Sequence, residues 1–417
     1  MDQGPLGLRR REFLRRSGLT LVTVGASPAL FAACGGSDTN SSTGAAGGAT
    51  TAATAPTGST AAAGPLPGIQ GDGKVGGTID FLSWEGYDLP DPMKDWKTAN
   101  SVELKPTYIG THDDIQAKLI AAKGKGGYDL ITYYQGYKPL YRELKLLEPL
   151  DPEQVPNIKN LYPYFQGDEG NFWIEPDGTR TGVPWDYGAI GITWDDAVLP
   201  GGLTSWYDLL DPKFKGKIGA VDDPQGNLAL CCHILGKQPD KLAKDSADVQ
   251  EVKDLLTKVW AQTTGVSASY GDMTQKLVSG DVVACWLGWA AMNTFAADKG
   301  TKTVKTILPK EGAYGFCDAW AIPPGADNVS TIYSWMNETL DPTRNAAIAE
   351  YLVGATVTPA GVDKLNPTIK ALYDYTNIEA LFAAAPLYNN PPTASDTLMT
   401  TKEWTDAYTE IKAGVGA

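Results

Sequence analysis

The chain has 417 residues, of which 42% are hydrophobic, 10% aromatic and 20% charged. That is long enough for two domains with a large core, and it excludes a mostly disordered chain or a polytopic membrane protein. A net charge of −14 argues against a nucleic-acid partner, and two histidines with five cysteines in no paired spacing argue against a metal site.

In chain order, the first segment reads as an address. Arg9-Arg10-Arg11 and Arg15-Arg16 precede a short apolar run, Leu19 to Ala33, which Gly25 and Pro28 interrupt. A basic stretch, a short apolar stretch and small residues before Cys34 make an export signal rather than a membrane span. Arg10-Arg11-Glu12-Phe13-Leu14 resembles the twin-arginine signal. Phe31-Ala32-Ala33-Cys34 resembles a bacterial lipobox, in which the cysteine becomes the lipidated first residue of the mature protein. The alternative is a plain signal peptide cleaved near Ala33. The expected product is exported, a cell-surface or periplasmic lipoprotein anchored to the membrane through Cys34. Removing residues 1–34, with five arginines and two acids, leaves 30 basic and 47 acidic residues, a net charge of −17.

Residues 35–75 are almost all Gly, Ser, Thr, Ala and Pro. They cannot bury enough surface to offset their ordering entropy, so a disordered linker with an r.m.s. reach of about 35 Å is expected.

From Gly77 onward strands and helices alternate. Thr78–Ser83 reads as a strand ending at Trp84, and Asp113–Lys123 carries Ile115, Leu119 and Ile120 at helical spacing. Tyr128–Thr132 reads as a buried strand, Lys138–Leu147 as a helix and Val183–Trp194 as a long extended stretch. Thr204 is placed to cap a short helix through Leu210. Ile218–Asp222 reads as a strand, Pro239–Gln262 as one long helix, and Met273–Ser279 as a short helix ended by Gly280. Val282–Leu287 and Ala319–Pro323 read as strands. Asp341-Pro342 starts a helix through Val353. The alternation predicts α/β layers with parallel sheets. Ligands of such sheets sit beyond the carboxyl ends of the strands. At those ends lie Trp84, Glu85 and Tyr87; Tyr133, Tyr134 and Gln135; Asp222 and Asp223; and Trp286 and Trp289. Rings offer a cation their negative faces, and carboxylates pair with its charge.

The order and spacing of several short segments make the chain similar to the spermidine/putrescine-binding proteins of ABC importers, within the extracellular solute-binding family. They are Ser83-Trp84-Glu85-Gly86-Tyr87, Tyr128-Asp129-Leu130-Ile131, Pro184-Trp185-Asp186-Tyr187-Gly188, Thr204-Ser205-Trp206-Tyr207-Asp208-Leu209-Leu210, Pro212-Lys213-Phe214-Lys215-Gly216-Lys217, Asp222-Asp223, Gly280-Asp281-Val282, Pro309-Lys310-Glu311-Gly312 and Asp318-Ala319-Trp320-Ala321-Ile322-Pro323. The resemblance covers about residues 76–417. It implies a two-lobed periplasmic-binding-protein fold of type II, each lobe a mostly parallel sheet flanked by helices, joined by hinge crossovers. Lobe one is expected at 76–187 plus 318–375, lobe two at 188–317 plus 376–417, with hinges near Gly188 and Asp318.

By the same resemblance, Trp84 and Tyr87 flank the ligand, Asp223 and Asp318 pair with amines, and Phe316 stacks on it. The chain departs from the family pattern at Gly86, Gly226 and Gly288, and near Thr356. The expected ligand-binding set is Trp84, Glu85, Tyr87, Tyr134, Gln135, Asp223, Trp286, Trp289, Phe316 and Asp318. The tryptophans read equally as core rings, Asp223 as a turn residue and Asp318 as half of a structural ion pair. Cys285 and Cys317 read as a disulfide or as two buried thiols.

No Ser/His/Asp or Cys/His arrangement is evident, so no catalysis is expected. The expected function is capture of a polyamine-like or other cationic metabolite by domain closure and its delivery to an ABC transporter permease. The expected protein is a monomer with no cofactor, no metal and no nucleic-acid partner. The alternatives are a carbohydrate receptor of the same fold, since these rings also stack on sugars, and a thiaminase-like enzyme using Cys317.

Overall fold

In the computed structural model, residues 64–109, 112–123, 126–167 and 172–415 are described. The export signal, Cys34 and most of the expected linker lie outside the described residues. The strands are β1 (Gly77–Ser83), β2 (Val102–Tyr108), β3 (Leu130–Tyr134), β4 (Val183–Asp195), β5 (Ile218–Val221), β6 (Thr263–Ser267), β7 (Ala284–Trp289), β8 (Val304–Ile307) and β9 (Gly315–Ala321). Their order is β2-β1-β3-β9-β4-β7-β5-β6, with β8 on β4.

The outer pairs are parallel: β1 with β2 and β3, and β5 with β6 and β7. β3 and β5 are short apolar runs, buried along nearly their whole length, as parallel strands covered on both faces must be. Every pairing of β4 and β9 with another strand is antiparallel. The parallel pattern expected for each half thus gives way in the middle, where these two strands carry the chain between the halves.

β4 makes the division visible. Up to Ala189 it pairs with β9, and from Ile190 onward with β7 and β8. Tyr187 and Cys317 belong to one apolar core, while Ile190 and Tyr314 belong to another. The chain therefore passes between cores at 188–189 on β4 and between Phe316 and Cys317 on β9. Gly188 is required at the first passage. A Cβ there would lie 2.5 Å from the Phe316 ring, its register partner. Near the C-terminus, Ile378, Phe382 and Leu387 pack in the first core, and Met399, Trp404 and Tyr408 in the second. The return to the second half thus comes after Leu387, not at 376.

Several local expectations shift for identifiable reasons. The predicted 239–262 helix breaks into a 3-10 turn and a helix at Ala247–Trp260, because the Ser246 side chain accepts from the Val249 amide and restarts it. Ser205 rather than Thr204 caps the next short helix, in a reciprocal box with Asp208. Gly280 ends its helix at φ +81°, and Asp341 caps Pro342–Leu352, both as the sequence predicts.

The linker expectation needs correction at its end. Residues 64–76 are laid across the first half. The Leu66 amide donates to Thr179 Oγ1 (2.8 Å), the Ile69 amide to the Pro149 carbonyl (2.9 Å) and the Gly73 amide to Ser330 Oγ (2.7 Å). Tyr333 donates to the Ile69 carbonyl (2.9 Å), and the Ile69 side chain packs on the first core. A Cβ on Gly68 would stand 2.1 Å from the Asp151 nitrogen. Small residues here serve close approach, and a single isoleucine supplies the burial.

Candidate functional site

The first end of the site is built by the turn after β1. Gly86 has φ +91°, the left-handed region that glycine occupies without strain, which accounts for glycine where the resemblance expects an acid. The Tyr87 amide donates to the Trp84 carbonyl (3.2 Å), and the turn aims the Tyr87 hydroxyl at Asp318 Oδ2, 2.7 Å away. The Tyr87 ring meets Trp185 edge-on at 4.9 Å, and Trp185 stacks on Trp320 at 4.4 Å. These buried rings fix the phenol. Asp318 is 6% exposed. Burial pushes its carboxyl up to about 6, against the Tyr87 bond, which favours the charged form.

β9 alternates, so Tyr314, Phe316 and Asp318 follow one another along one face. The Trp289 ring meets Phe316 edge-on at 6.1 Å and Tyr270 at 5.4 Å. Trp289 and Phe316 are both half-buried.

The second end is a helix N-terminus. Asp223 caps the helix Pro224–Ile234, its Oδ1 accepting from the Gly226 amide at 3.0 Å. Burial raises its carboxyl, and its backbone bonds oppose the rise. A Cβ on Gly226 would lie 2.3 Å from Asp223 Oδ2 and 2.5 Å from the Tyr314 hydroxyl. The phenol of Tyr314 thus fills the place of a side chain at 226, and glycine there is a packing requirement. The phenols of Tyr270 and Tyr314 are pushed up by burial and then by the Asp223 charge.

One residue ties the two ends together. The Tyr134 phenol, at the end of β3, is raised by burial, then by Asp223 and then by Asp318. The two carboxylates, one from each half, therefore both act on one phenol. Among the described residues no ion pair reaches either of them, and only burial, other acids and hydrogen bonds act on them.

Not every residue singled out from sequence joins this group. Trp286 is a correction: it is fully buried in the second core, its Nε1 donates to Asn227 Oδ1 (2.8 Å), and its ring packs on Trp206. Gln135 is another. Its Oε1 accepts from the Cys317 amide (2.8 Å) and its Nε2 donates to the Gly315 carbonyl (3.4 Å), so it straps β3 to β9. Glu85 belongs to a group with Asp88, Tyr108 and Tyr351, where its charge helps to raise both phenols. Asp222 accepts from Tyr408 (2.9 Å) and Lys412 (2.6 Å). Cys285 and Cys317 are buried free thiols on different cores. Of the rest, Tyr87 bonds to Asp318 and takes its turn from Trp84, Tyr134 is acted on by both Asp223 and Asp318, and Trp289 packs on Phe316. Tyr270 and Tyr314 join them unforeseen. The alternation of β9 back from Asp318 would have found Tyr314; nothing in the sequence marks Tyr270.

Two α/β halves joined by paired crossover strands are the architecture of a two-lobed solute-binding protein. Comparison with known proteins makes this specific. Residues 93–380 match the family described as bacterial extracellular solute-binding protein, and the chain belongs to that family. It is 24% identical over 338 residues to the spermidine/putrescine-binding periplasmic protein of Escherichia coli, covering 81% of this chain and 92% of that one. It is 24% identical over 308 residues to the putrescine-binding periplasmic protein PotF of the same organism, covering 70% and 81%. Among solved structures, the spermidine/putrescine transporter substrate-binding protein PotD of Streptococcus pneumoniae superposes with a TM-score of 0.65 at 18% identity, covering 81% and 98%. The fructose-6-phosphate-bound periplasmic protein AfuA of Actinobacillus pleuropneumoniae superposes with a TM-score of 0.56 at 16% identity, covering 82% and 99%. The fold is the two-lobed periplasmic-binding-protein fold.

Proposed function

We propose that the protein captures a small organic cation of the polyamine class between its halves and presents it to an ABC transporter permease. The observation that carries this is the pair of carboxylates, half-buried Asp223 and buried Asp318, contributed from opposite halves and acting on one phenol, with no ion pair to either among the described residues. A buried charge left unpaired is costly by several kcal/mol, so such a gap favours a guest that supplies positive charge. Trp84, Tyr87, Trp289 and Phe316 supply rings for its charge and methylene surface. The names of the E. coli relatives support the amine reading.

Closure follows from the same placement. A guest touching Asp318 on one half and Asp223 on the other binds the closed form better and shifts the population toward it. The halves are 76–187 with 317–387, and 190–316 with 388–417, turning about the 188–189 passage and the step from Phe316 to Cys317. Micromolar capture needs about −8 kcal/mol. Two charge-assisted contacts and two cation–π contacts, each about 1–3 kcal/mol, supply much of it. The export signal and Cys34 give a lipid-anchored receptor at the cell surface or in the periplasm. The protein acts as a receptor and not as an enzyme: burial and the neighbouring acids push the Cys317 thiol up and keep it protonated, the opposite of an activated nucleophile.

A thermal-shift panel of putrescine, spermidine, betaines and sugars tests this. A true ligand at 100 times its Kd adds about 2.7 kcal/mol of stability. Stabilisation by amines is expected. Stabilisation by a sugar or sugar phosphate and by no cation overturns the proposal.

A further inference from the structure

A second acid lies beside Asp318. Asp186 on β4 is its register partner on β9, so the two side chains leave the same face of the sheet. Asp186 is 3% exposed and Asp318 6%. Oδ1 of Asp186 accepts from the amides of Tyr187 (2.8 Å) and Ala355 (3.0 Å). The approach of that second amide depends on Gly354, whose Cβ would stand 2.4 Å from Oδ1. Oδ2 of Asp318 accepts from Tyr87. Oδ2 of Asp186 and Oδ1 of Asp318 have no hydrogen-bond partner among the described residues. Two oxygens of buried side chains on adjacent strands are therefore left without donors, at the end of the gap where the ligand's positive charge is expected.

The titratable groups coupled to this pair offer no charge to balance it. Tyr87 comes from the turn after β1, Tyr134 from β3, Tyr187 from β4, Cys317 from β9, and Tyr373 and Tyr375 from the segment before the Ile378–Ala384 helix. All are phenols or a thiol whose ionisation is pushed upward, so all are neutral near pH 7. Two acids in such a place cannot both stay charged. Burial and then the Asp318 charge push the Asp186 carboxyl well above the ordinary range, the direction that favours a proton on the empty pair.

We propose that Asp186 and Asp318 together receive one N–H-bearing cationic group of the ligand, a primary ammonium or an amidinium, between Oδ2 of the first and Oδ1 of the second. The inference rests on the cationic-ligand reading above. Such a group brings two or more donors to the two unpartnered oxygens. A tetraalkylammonium brings the same charge with no donor and leaves both oxygens unmet, so the pair selects between these classes of cation. On binding, one positive charge enters, the proton leaves Asp186 for solvent, and both carboxylates are charged against the guest.

Titration calorimetry tests this with putrescine and with its bis-trimethylammonium counterpart of equal chain length. Each is run near pH 7 in two buffers of different ionisation enthalpy. Wild-type protein is expected to bind putrescine about tenfold or more tightly than the quaternary compound, releasing about one proton per ligand. Asp186→Asn keeps the Oδ1 acceptor for both amides, so it is expected to melt like wild type. It is expected to lose the proton release and most of the preference for putrescine. Putrescine binding by wild type without proton release, or an unchanged preference in Asp186→Asn, overturns the role of Asp186 and leaves the amine reading standing. Binding of neither amine by wild type overturns the amine reading itself, and this inference with it.

Discussion

The two ends of the cleft hold acids by different means. Asp318 sits in mid-strand, fixed by the β4–β9 register and the Tyr87 bond, and its carboxylate holds no backbone amide. Asp223 holds the Gly226 amide at the start of a helix, so its carboxylate serves the fold as well as the gap. An acid placed by register is free for the ligand, whereas an acid that caps a helix is shared between binding and stability.

The largest effect that tests this difference is expected at Asp318. Asp318→Asn removes the charge that a buried ammonium needs and should weaken amine binding by about 100- to 1,000-fold, roughly 3–4 kcal/mol. Calorimetry reads the loss. The melting temperature near pH 7 should not fall, since no structural bond to a backbone amide goes with the charge. A variant that melts early would make Asp318 a structural residue.

Next comes pH. The Asp318 carboxyl stands at about 6 in the folded protein, above its ordinary value of 3.8. Its contribution to stability is therefore fully present below pH 3.8 and lost as pH rises through about 6. The empty protein should lose about 2–3 kcal/mol from this group over that window, and Asp318→Asn should flatten the profile. Amine affinity should move the opposite way, rising with pH as the carboxylate forms. A stability profile unchanged by Asp318→Asn would contradict the assignment.

At the other end, Asp223→Asn should weaken binding about tenfold while leaving stability near wild type, because Asn also caps a helix. Asp223→Ala should lose binding and, in addition, about 1 kcal/mol of stability. Equal melting of the Asn and Ala variants would remove the capping role.

The smallest effects separate two neighbouring tryptophans. Trp289→Ala should weaken binding by about 0.5–1 kcal/mol. Trp286→Phe should leave affinity alone and lower stability by about 1 kcal/mol, because Asn227 Oδ1 loses its donor. The reverse result would exchange their places in the molecule.

What the sequence made legible follows from which forces are local. Asp341-Pro342, Gly280 and the strand before Trp84 announce themselves through caps, left-handed turns and short apolar runs, and the structure has them. The resemblance singles out Tyr87, Asp223 and Asp318, and the packing supplies reasons for two departures: Gly86 for its left-handed φ, and Gly226 for the contact between Asp223 and Tyr314. Trp286 and Trp289 show the limit. They sit three residues apart on one short strand, and only the helix laid over the first, carrying Asn227, makes it core. Asp186 was legible as a motif residue without a role, because its meaning lies in a cross-strand partner more than 130 positions away. Ile69 was submerged in a linker-like composition that one half-buried side chain and two crowded glycines overrule.

The central claim is that one cation is gripped from both halves, and a crystal structure of the protein with a bound diamine tests it most directly. The account predicts one nitrogen within hydrogen-bond distance of Asp318 and the other against Asp223, with the chain between Trp84, Tyr87, Trp289 and Phe316. A diamine seated elsewhere, or one touching acids of a single half only, would contradict it.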